Sequence, residues 1–100
     1  MGRPRMELQR LFKKSTPHVY FQPPDSLDIE YPCIIYNLED IDTQYADNSP
    51  YRESNRYMVT VIDSDPDSVI RNDVKSLPLC SFNRFFTADN LNHFAFTLYF

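Results

Sequence analysis

The sequence predicts an α+β domain: a small antiparallel β-sheet with two helices packed on one face. Three observations carry that expectation. Phe94, Phe96, Leu98 and Phe100 alternate strictly with His93, Ala95, Thr97 and Tyr99, the period of a half-buried strand. Two other runs, Leu8–Leu11–Phe12 and Val69–Ile70–Val74–Leu77, repeat at helical spacing. With 100 residues, 42% hydrophobic and 15% aromatic, the chain is globular in composition and short enough for a single domain.

Taken in order, the elements follow from local chemistry. Residues 1–5 read as a flexible N-terminal arm. From Met6 to Lys14 one face is apolar while Arg10, Lys13 and Lys14 point away, and Pro17 closes the helix. His18–Gln22 reads as a short strand, and Pro23-Pro24 forces an extended or turning connection. Leu27, Ile29 and Tyr31 alternate with acids, and Cys33–Tyr36 continues as a buried strand. Beyond the acidic stretch Glu39–Asp42, the segment Tyr45–Ser54 lacks any period and contains Ala46-Asp47-Asn48-Ser49-Pro50, so an exposed loop between antiparallel strands is expected there.

Asn55–Ile62 is the next strand, with Tyr57, Val59 and Val61 on one side and Met58, Thr60 and Ile62 on the other. Two apolar faces predict a central position. In Asp63-Ser64-Asp65-Pro66-Asp67, Asp65 is the expected N-cap, Pro66 fits the first helical position and Asp67 favours the positive end of the dipole. The second helix then buries Val69, Ile70, Val74 and Leu77 and ends by Pro78. Leu79–Thr87, an Ala88-Asp89-Asn90 turn and the alternating C-terminal strand complete the sheet. Phe82, Phe85, Phe86, Phe94, Phe96 and Phe100 are expected in the core.

Glycine and charge restrict function. The one glycine is Gly2, so a phosphate-cradling P-loop, a dinucleotide fingerprint and a nucleophile elbow, all of which need glycine backbone, are excluded. Ten Lys and Arg against fourteen Asp and Glu give a net charge of -4, distributed unevenly. Residues 1–16 hold Arg3, Arg5, Arg10, Lys13 and Lys14 against Glu7 alone. Residues 17–51 hold no Lys or Arg but seven acids. A basic head on an acidic body suits either solubility or directional assembly, in which the basic end of one subunit meets the acidic face of another. Cys33 and Cys80 lie in apolar runs and read as buried thiols of a reducing cytoplasm. No run approaches the length of a membrane span.

Reactive constellations fare poorly. Cys33, Cys80, His18 and His93 lack the close ligand pairs of zinc motifs, and nothing supplies the electropositive setting of a Cys–His nucleophile. Asp63, Asp65 and Asp67 open like a calcium loop, but Ser68 and Val74 stand where glycine and glutamate belong. Pro66-Asp67 with Asp73-Val74-Lys75 superficially resembles a nuclease signature, yet both halves fall within one helix. No helix-turn-helix, zinc finger or stacking-sheet signature accompanies the basic residues. Neither a cofactor, a metal nor a catalytic residue is expected.

The runs Tyr20-Phe21-Gln22-Pro23-Pro24, Tyr31-Pro32-Cys33-Ile34-Ile35-Tyr36, Ile41-Asp42-Thr43, Tyr45-Ala46-Asp47-Asn48, Tyr57 to Asp67 and Asp89-Asn90-Leu91-Asn92-His93 carry a resemblance over about four fifths of the chain. They resemble the tail terminator, or tail completion, proteins of the neck of long-tailed bacteriophages. The resemblance implies a tail-terminator-like α+β fold and a hexameric ring on the head-proximal end of the tail tube. That ring stops tube polymerisation and presents the surface to which the DNA-filled head docks. Expected partners are further copies of the chain, the tail tube protein, head-closure or connector proteins, and DNA passing through without sequence-specific binding. The expected location is the virion, after assembly in the host cytoplasm.

Within that frame three surfaces are expected to work. Tyr45, Asp47, Asn48, Tyr51 and Arg52 reach a neighbouring subunit or the tube. Glu39, Asp40 and Asp42 face the channel, where negative charge repels phosphate. Arg3, Arg5, Arg10, Lys13 and Lys14 meet an acidic neighbour. Alternatives are a head-closure or connector adaptor of the same neck, a small acidic regulator mimicking DNA, and a small metal-dependent enzyme.

Overall fold

The computed structural model describes residues 4–46 and 49–100, giving only the backbone for 42–46 and 49–54. Two helices, α1 (Arg5–Lys13) and α2 (Val69–Lys75), accompany five strands: β1 (Val19–Phe21), β2 (Cys33–Ala46), β3 (Ser49–Asp63), β4 (Cys80–Ala88) and β5 (Leu91–Tyr99). All five strands form one sheet in the order β1-β2-β3-β5-β4. β3 is central, as its two apolar faces predict. The sheet is mixed rather than antiparallel, because β1 pairs parallel to β2, Val19 with Ile34 and Phe21 with Tyr36. Parallel neighbours need a connection that returns across the sheet, and residues 22–32 supply it.

Period-two alternation explains the core. Three cross-strand rows, Ile34–Val61–Phe94, Tyr36–Val59–Phe96 and Leu38–Tyr57–Leu98, lie on one face of the sheet. Apart from half-exposed Leu38, every member of these rows is buried. Leu8 and Phe12 of α1 and Ile70 and Val74 of α2 close over them in a single apolar cluster. Both helices therefore cover the same face. Ser15 Oγ donates to Asp73 Oδ2 at 2.9 Å, tying the end of α1 to α2. Tyr36 is the hub: Phe12, Phe21 and Tyr57 surround its ring at centroid distances of 5.2, 4.9 and 5.8 Å. Its buried hydroxyl donates to Gln9 Oε1 and accepts from Arg5 Nη1.

Several sequence expectations are corrected. Tyr45–Ser54 is not a loop: β2 runs to Ala46 and β3 starts at Ser49, so most of the segment is two paired strands with a register shift at Gln44/Tyr45. A ladder is held by backbone hydrogen bonds and needs no apolar period, which is why the pattern did not reveal it. Residues 27–31 are not a strand but part of the irregular connector, which turns through a bond from Leu27 N to Pro24 O. Only at Cys33, past the donor-less Pro32, does pairing with β3 begin.

α2 starts three residues later than the aspartates suggest. Ser68, fully buried, is the N-cap, accepting from Arg71 N. Asp63 and Asp65 instead accept from the backbone N–H two residues on, at 3.0 and 2.9 Å, and Asp65, Pro66 and Asp67 precede the helix as successive turns. The delayed start turns Val69 outward to 70% exposure while Ile70 and Val74 stay buried. Arg5 likewise belongs to α1, not to a free arm. Asp89 and Asn90 take φ of 54° and 63° in the two-residue turn between β4 and β5, as a tight hairpin requires.

Candidate functional site

The outer strand β4 is exposed along almost all of its length. Phe82, Phe85 and Phe86, expected in the core, are 54%, 49% and 37% exposed. The reason is positional: β4 is an edge strand, so these rings have neighbours on one side only. A register shift between Phe82 and Arg84 leaves Asn83 as the bulged residue. A bulge inverts the facing of everything beyond it. Phe82 and Phe85, three residues apart, therefore share one face, lying 5.6 Å from Phe96 and 5.1 Å from Phe94. Phe86 takes the other face, stacked on His93 at 4.6 Å with the Arg84 guanidinium 4.9 Å above it.

Between β4 and α2 this arrangement opens a cleft of about 400 Å³, lined by Phe82, Phe85, Phe94 and Phe96 below and Arg71, Asn72 and Lys75 above. Arg71 is held over the Phe94 ring at 5.0 Å and donates to Pro66 O at 3.1 Å. Among the described residues, neither Arg71 nor Lys75 has a carboxylate within 4 Å. A basic rim over an aromatic floor suits an acidic, apolar peptide. The spacing of Phe82 and Phe85 around Asn83-Arg84, which breaks strict alternation, is the one sequence signal that marks this site.

At the opposite edge lie β1, the connector 22–32 and the free side of β2. Asp25, Asp28 and Glu30 and the exposed Leu27 and Tyr31 stand on the connector. Glu30 Oε2 is 3.5 Å from His18 Nε2, while Asp25 and Asp28 have no cation within 4 Å among the described residues. Of the three acids expected to face a channel, Glu39 and Asp40 have a cation beside them. Arg56 of β3 takes Glu39 at 3.6 Å and Asp40 at 3.3 Å. A shift between Leu38 and Asp40 makes Glu39 the bulged residue, so consecutive acids reach the same guanidinium. Glu39, Asp40 and the aromatic hydroxyl of Tyr99 raise the Arg56 pKa further, Tyr99 most.

The basic set divides. Arg10, Lys13 and Lys14 are exposed on the outer side of α1, as expected. Arg5 packs inward over the Phe21 ring at 4.4 Å and bonds Tyr36. Arg3, Asp47 and Asn48 lie outside the described residues, as do the side chains of Asp42, Tyr45, Tyr51 and Arg52. Cys33 is fully buried and its thiol is pushed up to about 12 by that burial; Cys80, half-buried, is raised for the same reason. Among the described residues no three His, Cys, Asp or Glu side chains converge as metal ligands, and no helix is long and apolar enough to cross a membrane. No family model matches the chain, and no curated protein matches it.

Proposed function

We propose that this chain is a structural component of the neck of a long-tailed bacteriophage, a tail terminator that caps the tail tube as a hexameric ring and provides the surface on which the DNA-filled head docks. The assignment to that family rests on the sequence resemblance. The observation that carries the assembly role is the edge strand β4, which leaves Phe82, Phe85 and Phe86 half-exposed, the first two beside Arg71 and Lys75, which have no carboxylate within 4 Å among the described residues. A monomer gains nothing from such an edge, which invites aggregation unless another chain covers it. In the ring, copies of this chain, the tube protein and head-closure or connector proteins are the covering partners, and the role is structural, with no catalytic step.

The charge distribution supports the same reading. Arg10, Lys13 and Lys14 form an exposed basic row along α1 and its end, and the connector and β2 hold six of the seven acids of residues 17–51, Asp25, Asp28, Glu30, Glu39, Asp40 and Asp42. Opposite charge on different faces favours ordered, head-to-side association over random contact. Electron microscopy of a lysate in which the gene is inactivated tests the proposal. Overlong, unattached tubes beside DNA-filled heads are the expected result. Empty heads with tails of normal length assign the protein to head closure instead, and intact infectious virions overturn the neck role altogether.

A further inference from the structure

Two surfaces on opposite edges of the sheet complement each other, and among the described residues the charges of Arg71 and Lys75 on one and of Asp25 and Asp28 on the other have no oppositely charged group within 4 Å. One is the cleft between α2 and β4, with the rings of Phe82 and Phe85 on its floor and Arg71 and Lys75 on its rim. The third charged side chain of α2, Asp73, does not line it; it is engaged by Ser15 on the α1 side. The other is the connector 22–32, in which Leu27 and Tyr31 are 43% and 46% exposed between Asp25, Asp28 and Glu30, with no Lys or Arg in the segment.

We propose that the α2–β4 cleft of one copy receives the acidic connector of a second copy, Leu27 and Tyr31 meeting Phe82 and Phe85 while Asp25 and Asp28 face Arg71 and Lys75. The contact deepens the ring reading above by naming the surfaces that join its subunits, and it rests on that reading only for the closure into a ring. Charge selects the connector over the other acids of this edge. Glu39 and Asp40 already share Arg56, whereas Asp25 and Asp28 bring carboxylates that have no cation, among the described residues, to cations that have no carboxylate there. Apolar side chains flanked by acids also match an aromatic floor flanked by bases. Donor and acceptor surfaces differ and lie at opposite ends of the strand order, so the contact is heterologous: each copy binds one neighbour on either side, which gives a ring or a filament rather than a closed dimer. The bulge at Asn83 interrupts the hydrogen-bonding edge of β4, so side chains rather than an added strand make the join.

Sedimentation velocity of the full chain over a range of concentrations up to millimolar, at low salt, tests the contact. Wild-type protein is expected to associate beyond a dimer, and less so as salt is raised. Arg71→Glu with Lys75→Glu, and separately Asp25→Lys with Asp28→Lys, are each expected to weaken association by at least about tenfold. An equimolar mixture of the two variants restores it, because each reversed surface then meets a reversed partner. Lys75→Glu alone, at an exposed position, keeps the test independent of the Arg71 contact with Pro66. A wild-type chain that stays monomeric throughout, variants that associate as wild type does, or a mixture that fails to recover overturns the contact. The lysate experiment is independent of it: intact virions remove the neck role but leave self-association standing, and overlong tubes with a monomeric chain do the reverse.

Discussion

Ser68 shows how one buried hydroxyl decides where an element begins. Three aspartates precede it, each able to cap a helix, but Asp63 and Asp65 spend their carboxylates on the turns that lead in. Ser68, with no exposed surface, is left to accept from Arg71 N at 3.2 Å. Ser68→Ala removes that acceptor in a site water does not reach and is expected to cost about 1–2 kcal/mol, read as a lower urea midpoint at unchanged slope. Cys33 makes a different use of burial. Its thiol is raised from 9.0 to about 12 because the thiolate is penalised only in the folded chain. The stabilisation this represents is complete below pH 9.0 and is lost as pH rises toward about 12. Stability is therefore expected to fall through that window, and Cys33→Ala to make the fall shallower. Tyr57, raised by burial and then by neighbouring Tyr36, leaves a residual slope. Iodoacetamide labelling at mildly alkaline pH checks the same point: Cys33 is expected to react at least about tenfold more slowly in the folded chain than in denaturant.

At the scale of elements, α1 buries two side chains in the core. Leu8 and Phe12 are 0% and 1% exposed, and Phe12 meets Tyr36 edge-on. A nine-residue helix without a side-chain N-cap is too short to persist alone, so its order comes from this packing. Phe12→Ala is expected to cost about 3–5 kcal/mol, a large share of the roughly 5–15 kcal/mol typical of a domain, and to lower Tm by more than about 10 °C in a thermal melt. The strands teach the complementary lesson. β5 was legible because one face is buried at Phe94, Phe96 and Leu98, which forces period-two alternation. The outer halves of β2 and β3 were not, since Asn48, Ser49 and Pro50 read as turn formers and backbone pairing leaves no mark on hydropathy. In β4 the bulge at Asn83 breaks the alternation, and a strand of apolar content read as core emerges as an exposed edge.

Over the whole molecule, an extent of 51 × 27 × 23 Å reflects strands of 14 and 15 residues paired along their length, β2 with β3. The sequence by itself determined an α+β domain, both helices, the centrality of β3 and the core stripe of β5, because burial on one face imposes a period that composition cannot hide. It also carried the separation of basic head from acidic body, since charge is additive along a chain. Only the tertiary structure decided that β1 joins in parallel, that β4 is an edge, and that Arg71 and Lys75 stand over exposed phenylalanines while Asp25 and Asp28 stand exposed on the connector at the other edge. Which strand ends a sheet depends on pairing between residues far apart in sequence. Hydropathy records that a residue is apolar, not whether a neighbour arrives to cover it.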